Sequence, residues 1–316
     1  MSAHWLVTGG AGFIGRALCH RLIEAGTRVT VLDDLSTGEA SALPGAATLV
    51  RADICDRTAL RHALCGVDGV FHLAAVSSVE ACLARPAATS RTNLQGTVTL
   101  LEEAAGQPVV YASSAAIYGD QEALPIVEEA TPDPISPYAV DKLASERHLG
   151  LAASLRGERM VALRLFNVYG AGQPADSPYA GVIARFAERA RAGLPMTIQG
   201  DGRQTRDFVH VSDVVLALQA AMRHTRAAGA GHFTCANVCT GTPVSILGLA
   251  RSLSILAERH APIVFSAPRP GDILHSIGDP SRAETVLGVR ARKSFEQGLS
   301  EVLQHIGSGP VAAAAR

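Results

Sequence analysis

One stretch near the start, Thr8-Gly9-Gly10-Ala11-Gly12-Phe13-Ile14-Gly15, constrains the fold more than any other. It follows an apolar run, His4 to Thr8, that reads as a strand. It opens a stretch from Gly12 to Ala25 that reads as a helix closed by Gly26. Gly10, Gly12 and Gly15 fit G-x-G-x-x-G, and Gly9, Gly12 and Gly15 fit G-x-x-G-x-x-G. Either spacing lets the backbone turn tightly and approach a pyrophosphate, whose charge then lies at the helix N-terminus. A glycine triplet alone is weak evidence. Its place between a strand and a helix makes it a dinucleotide signature.

The first half of the chain continues in the same alternation. Strands are expected at 28–33, 48–50, 69–73, 108–112 and 160–165, and helices at 57–64, 89–105 and 137–155. The strands are apolar without strict alternation, as expected when both faces are buried in a parallel sheet. Alternating βα units imply a doubly wound α/β fold. After residue 166 the regularity fades. A loop at 167–174, helices at 179–192, after 213 and at 245–259, and a strand at 233–238 suggest a smaller C-terminal lobe interleaved with the sheet. We expect a dinucleotide-binding unit at 1–166, with parts of 205–240 returning to it. A substrate lobe should cover 167–306 and a disordered tail 307–316.

Asp33 ends the second expected strand, 18 residues after Gly15. There a carboxylate accepts hydrogen bonds from the adenosine ribose. It would repel a 2′-phosphate, and Asp34 beside it adds to the repulsion, so the expected cofactor is NAD rather than NADP. Asp53, after the third strand, is within reach of the adenine amino group or else a solvated loop acid.

Composition removes other classes. Of 316 residues, 47% are hydrophobic and 18% charged, which suits a sizeable core and not a disordered chain. The 28 basic and 29 acidic residues leave a net charge of −1, and no basic block supports nucleic-acid or membrane-surface binding. Neither a signal-like start nor a membrane-length apolar run is present, so a cytoplasmic protein is expected. Cys235 and Cys239 form the only close cysteine pair and lack a second pair at metal spacing, so no metal is expected.

Tyr138 and Lys142 lie four residues apart in Ser136-Pro137-Tyr138-Ala139-Val140-Asp141-Lys142. On a helix they share a face. The ammonium is then expected to lower the phenol pKa towards neutrality, making a base that works near pH 7. Upstream, Ser113-Ser114 ends the strand that begins at Pro108, on the edge that lines the ligand crevice of an open sheet.

The order strand–glycine loop, strand–Asp, strand–Ser-Ser and helix with Tyr-x-x-x-Lys resembles the extended short-chain dehydrogenase/reductase family. Within it, the chain is similar to the nucleotide-sugar 4-epimerases. The resemblance covers roughly residues 4–305. It rests also on Asp33 to Gly38, Phe71-His72-Leu73-Ala74-Ala75, Ser113 to Gly119, Arg164 to Gly170, Gln204 to Val211 and Arg269-Pro270-Gly271-Asp272. It implies a Rossmann-type sheet and bound NAD held by Gly9, Gly12, Phe13, Ile14, Gly15, Asp33, Asp34, Asp53, Ile54, Leu73, Ala74, Ala75, Tyr138 and Lys142. It also implies catalysis by Ser114, Tyr138 and Lys142. Tyr138 would take the C4 hydroxyl proton of a UDP-sugar or dTDP-sugar, and Ser114 would bond the C4 oxygen. Asn167, Arg206 and Arg269 would meet the diphosphate, Asp272 the nucleoside ribose, and Ser276 the space beside C2. A homodimer through helices 89–105 and 137–155 is implied as well.

Departures narrow the reading. Ala115 and Ala116 stand where sugar dehydratases and uronate decarboxylases carry an acid. Ala171-Gly172-Gln173 lacks the arginine frequent in uronate 4-epimerases. Ser276 leaves room for an N-acetyl group where a bulky tyrosine stands in some members, so UDP-N-acetylhexosamines are expected beside UDP-glucose and UDP-galactose. The alternatives are a reductase, a dehydratase or a UDP-glucuronate 4-epimerase of the same fold, or a non-catalytic NAD-binding sensor.

Overall fold

The computed structural model describes residues 2–174, 181–268 and 273–308. Six strands of the first half are β1 (His4–Thr8), β2 (Arg28–Asp33), β3 (Thr48–Arg51), β4 (Gly69–His72), β5 (Val109–Ser114) and β6 (Met160–Leu165). With strand Phe233–Val238 they form a seven-stranded sheet. Its order is Phe233–Val238, β6, β5, β4, β1, β2, β3. Every pairing in it is parallel. Strand order reverses between β1 and β4, and a crevice opens outside the carboxyl ends of the strands at such a point.

Burial on both faces explains the unbroken apolar strands. Val7, Val31, Phe71, Val110 and Val161 belong to the core on one face, under helices Phe13–Glu24 and Val211–Ala227. Their neighbours Leu6, Leu32, Val70, Val109 and Ala162 belong to the core on the other, with Leu60, Leu100 and Leu149 from the opposite helices. Successive side chains point to opposite faces, so both must be apolar.

Helix Pro137–Arg156 carries the clearest local signals. The Ser136 hydroxyl accepts from the Ala139 amide at 3.2 Å, Pro137 occupies the first turn, and Gly157 closes the helix at φ +70°. The expected helix over 89–105 differs. It begins at Pro86 and passes through a π-helical segment, Arg91–Gln95, before Gly96–Glu103 resumes α geometry. The wider turn directs Asn93 inward. Its Oδ1 accepts from the Val76 amide at 2.8 Å, and its Nδ2 donates to the Val76 carbonyl at 3.1 Å.

The lobe packs around Phe186, Phe208, Leu249 and Leu299. Its small sheet centres on strand Thr205–His210. That strand pairs with Pro243–Ser245 and His275–Ser276 and, on its other part, with Asn167–Tyr169. The disordered tail expected from residue 307 needs correction at its start. Helix Phe295–Ser308 runs through Gly307, over which the Arg191 guanidinium lies where a side chain would stand. The rest of that expected tail, 309–316, lies outside the described residues. Among the described residues, no helix is long and apolar enough to cross a membrane.

Candidate functional site

The glycine loop leaves β1 at the point where strand order reverses. A Cβ on Gly9 would stand 2.7 Å from the Ala74 amide nitrogen, and one on Gly15 would collide with the Gly9 carbonyl, so both positions exclude a side chain. Gly12 caps helix Phe13–Glu24 in extended conformation, and no side chain accepts from the helix N-terminus. The first-turn amides, at Phe13, Ile14 and Gly15, therefore suit an external anion. Asp33 is buried at the end of β2. Its Oδ2 accepts from the Ala11 amide at 2.9 Å and its Oδ1 from the Leu35 amide at 2.8 Å. These bonds fix the carboxylate beside the loop. The set fits the pyrophosphate and ribose of a dinucleotide.

The neighbouring acids are engaged locally. Asp34 accepts from the Ser36 amide and hydroxyl at 2.9 and 2.6 Å, within its own loop. Asp53 pairs with Arg91 at 2.5 Å and accepts from the Cys55 amide, and these bonds hold its carboxyl below the usual range against partial burial. Ile54 is buried beside Gly96.

The loop at Leu73, Ala74 and Ala75 follows β4 and is tied to β1. The Thr8 hydroxyl lies 2.7 Å from His72 Nδ1, and His72 Nε2 lies 2.9 Å from the Thr97 hydroxyl. Thr97 donates to the Asn93 carbonyl at 2.8 Å, so the network assigns the imidazole proton to Nε2 and leaves Nδ1 accepting from Thr8. Burial pushes His72 down to about 3, with the Lys142 charge acting the same way.

Ser114, Tyr138 and Lys142 come together at the carboxyl edge of the sheet. β5 runs two residues past the expected end, because Ser113 and Ser114 pair with Arg164 and Leu165 of β6. The Ser114 hydroxyl accepts from the Ala116 amide at 3.2 Å and acts on the nearby Tyr138 phenol, favouring its ionised form. Lys142 is buried, donates to the Ala112 carbonyl at 2.7 Å and lies 4.6 Å above the Tyr111 ring. Its distance to the Tyr138 ring centre is 5.8 Å.

The expected lowering of the phenol is corrected here. Burial pushes Tyr138 up to about 12, and Ser114 offsets only part of the rise. The i, i+4 spacing does put the pair on one face, but the Ala112 carbonyl captures the ammonium. Burial also draws Lys142 down to about 8, against the raising charges of Glu146 and Asp141. Asp141 is itself buried and accepts from Ser90 on both oxygens at 2.9 Å.

The expected substrate residues meet on the lobe's sheet. Ser276 is in register with Arg206, and Asn167 with Phe208. Asn167 donates to the Asp207 carbonyl at 3.3 Å. Arg269 and Asp272 lie outside the described residues. A cavity of about 710 Å³ opens where Gln204 leads into this strand, between Phe265, Pro268 and Leu274 and the polar Gln199 and Asp201. No sequence pattern announces it, because its walls come from three separate segments, two of them including strand ends.

Three further groups escaped sequence reasoning. Asn93 holds the Val76 loop. Glu146 and Arg164 form a buried ion pair at 2.8 Å behind Ser113. Asp207 is fully buried and accepts from the Thr240 amide and hydroxyl and the Gly241 and Gly278 amides, at 2.7 to 3.3 Å. Only the i+4 step from Lys142 to Glu146 was visible in the sequence.

Residues 5–236 match the NAD dependent epimerase/dehydratase family. The chain is 38% identical to a UDP-glucose 4-epimerase of Mycolicibacterium smegmatis, over 95% of this chain and 97% of that protein. It is similar to the crystal structure of UDP-glucose 4-epimerase with UDP-glucose from Thermotoga maritima. That similarity has TM-score 0.91 and 35% identity over 96% of this chain and 98% of the other. The UDP-glucose 4-epimerase of Thermus thermophilus in complex with NAD gives TM-score 0.88 and 32% identity over 97% and 100%. A match of this extent, on a chain whose glycine loop, Asp33 and Ser114–Tyr138–Lys142 cluster have the geometry above, assigns the family: the chain belongs to the NAD dependent epimerase/dehydratase family.

Proposed function

We propose that this enzyme is a nucleotide-sugar 4-epimerase acting on UDP-glucose and UDP-galactose, with UDP-N-acetylhexosamines accepted through the room left by Ser276. The observation that carries the reading is that helix Pro137–Arg156 sets the Lys142 ammonium 5.8 Å from the Tyr138 ring centre, beside Ser114 at the carboxyl end of β5.

In this reading Ser114 bonds the C4 oxygen and Tyr138 takes the C4 hydroxyl proton and later returns it. NAD, which the Phe13–Gly15 amides and Asp33 would hold, would supply the acceptor for the C4 hydride and its donor back to the other face of C4, with a positive charge that opposes the effect of burial on the phenol. Lys142 would hold the nicotinamide ribose. The 4-keto sugar turns over before proton and hydride return, so no net oxidation results. Ala115 and Ala116, in the turn after Ser114, offer no carboxylate for elimination. Arg206 and Asn167 face the diphosphate, since a guanidinium matches phosphate oxygens bidentately. The cavity by Gln204 takes the nucleoside base between apolar walls.

A homodimer fits helix Pro137–Arg156, whose Val140, Leu151 and Leu155 fall on one outer face and are 50 to 78% exposed. The protein is proposed to act in the cytoplasm.

The test is incubation with NAD and, separately, UDP-glucose, UDP-galactose, UDP-N-acetylglucosamine, UDP-glucuronate and dTDP-glucose, with products followed by NMR. Inversion at C4 without accumulation of reduced cofactor is expected for the first three. Net reduced cofactor, released carbon dioxide or a dehydrated sugar would replace the reading with oxidation, decarboxylation or elimination. No turnover of any of them would favour the sensor.

A further inference from the structure

The ion pair of Glu146 and Arg164 has no part in the chemistry described so far, yet it touches everything around Ser114. Glu146 lies on the helix of Tyr138 and Lys142, at successive i+4 steps, so the three share one face. Arg164 reaches it from β6 through Nη2 at 2.8 Å and Nε at 3.1 Å, and both side chains are buried.

From this pair two tethers run to the segment that holds Ser114. On one side the Ser113 hydroxyl donates to Glu146 Oε1 at 2.5 Å. On the other, Arg164 Nη1 donates at 2.9 Å to the phenol of Tyr118, the last residue of the turn Ala115–Tyr118. The Tyr118 phenol donates onward to Asn237 Oδ1 at 2.7 Å, on the strand that completes the sheet. Ser114 is thus flanked by two anchored residues. The Ala112 carbonyl, which receives Lys142, lies one residue before the first.

We propose that the Glu146–Arg164 pair is the positioning device of this active site, fixing Ser114 from both sides and setting the electrostatic field at Lys142. The inference rests on the reading that Ser114, Tyr138 and Lys142 perform the reaction. Ordinary packing does not require such a device. A buried ion pair contributes little to stability compared with apolar residues of the same volume, so its presence here fits a role in geometry and field.

The groups that act on Lys142 come from several elements. Glu146 and Asp141 on its own helix and Cys82 on helix Val79–Ala84 favour its charge. His72 at the end of β4 is neutral. The Tyr111 phenol of β5 is held protonated by burial and the Tyr138 phenol by burial as well. Arg164 balances Glu146. Glu146→Gln keeps an acceptor for Ser113 and removes the charge that holds the Lys142 proton, leaving Arg164 unopposed. The loss of the Lys142 proton then moves to lower pH.

The test compares wild type, Glu146→Gln and Ser113→Ala as purified holoenzymes. Two readouts are taken: the pH profile of kcat and the titration of the Lys142 ammonium by NMR of lysine-labelled protein, in which Lys293 is the only other lysine. In Glu146→Gln the alkaline limb of kcat moves down by about one pH unit, which above the limb is about a tenfold loss. The Lys142 titration moves down with it. In Ser113→Ala kcat falls while the limb stays in place, because the charge remains. Folding is checked by circular dichroism and melting. If Glu146→Gln is folded and both its limb and its Lys142 titration coincide with wild type, the pair is only structural and the inference is overturned. A wild-type enzyme that turns over no nucleotide sugar defeats the functional reading instead. The lysine titration still reports on the field at Lys142 in that case.

Discussion

Thr8 and His72 end neighbouring parallel strands, and the Thr8 hydroxyl meets His72 Nδ1 at 2.7 Å. One strand feeds the glycine loop and the other feeds Leu73-Ala74-Ala75, so this bond joins the two walls of the crevice. The imidazole serves it only when neutral, because Nδ1 must accept. Its folded value, about 3, lies below the ordinary 6.5. A depressed histidine stabilises the fold fully above pH 6.5, and that contribution is lost as pH falls towards 3. Between pH 6.5 and 4 the melting temperature of wild type should therefore fall more steeply than that of His72→Leu. Parallel curves over that interval would refute the assignment.

Tyr138→Phe should leave melting and NAD binding near wild type and lower kcat by about 10² to 10⁴. Ser114→Ala should lower kcat less, since it removes a bond to the C4 oxygen and not the proton acceptor. Steady-state kinetics on UDP-galactose measure both. A Tyr138→Phe enzyme with wild-type kcat would remove the phenol from the mechanism.

Lys142 is drawn down to about 8 by burial, so its charge is lost at a pH where an ordinary lysine keeps it. Activity should decline above about pH 8, and Lys142→Met should abolish that limb along with most of the activity. The check is kcat against pH from 6 to 10. A flat profile to pH 10 contradicts the need for the ammonium.

Asp207→Asn turns an acceptor oxygen into an amino group facing the Thr240 and Gly241 donors. The expected loss is about 2–4 kcal/mol of stability, within the range for breaking buried charge-assisted bonds. Because Arg206 and Ser276 flank this anchor in register, KM for the sugar nucleotide should rise more than kcat falls. Chemical denaturation and kinetics measure the two effects.

Ser276→Tyr should lower kcat/KM for UDP-N-acetylglucosamine by about tenfold or more relative to UDP-glucose, if a pocket closed by about the size of the acetyl group rejects it. An unchanged ratio removes Ser276 from substrate choice.

Much of the architecture was legible in the chain because the signals were local. Gly9, Gly12 and Gly15 leave no alternative to a close turn, and two-sided burial explains why Val7 and Leu6 are both apolar. What stayed hidden depends on distant partners. Spacing puts Tyr138 and Lys142 on one face, but nothing in the helix announces that Ala112 will capture the ammonium. The π segment at Asn93 answers to Val76, far from it in sequence. Glu146 looks like a surface residue until Arg164 arrives from β6. The cavity by Gln204 is assembled from segments with no common pattern.

The late return of strand Phe233–Val238 to β6 has a kinetic consequence. Met160 pairs with Phe233, so the edge of the main sheet waits for roughly seventy further residues before it closes. Until then β6 is an open edge of buried apolar residues, able to template wrong pairings. A nascent chain stopped before residue 233 holds the glycine loop, Ser114, Tyr138 and Lys142, but Asn237 has not yet arrived to receive Tyr118. The turn after Ser114 therefore gains its bond to Asn237 only once the chain has been made through residue 237.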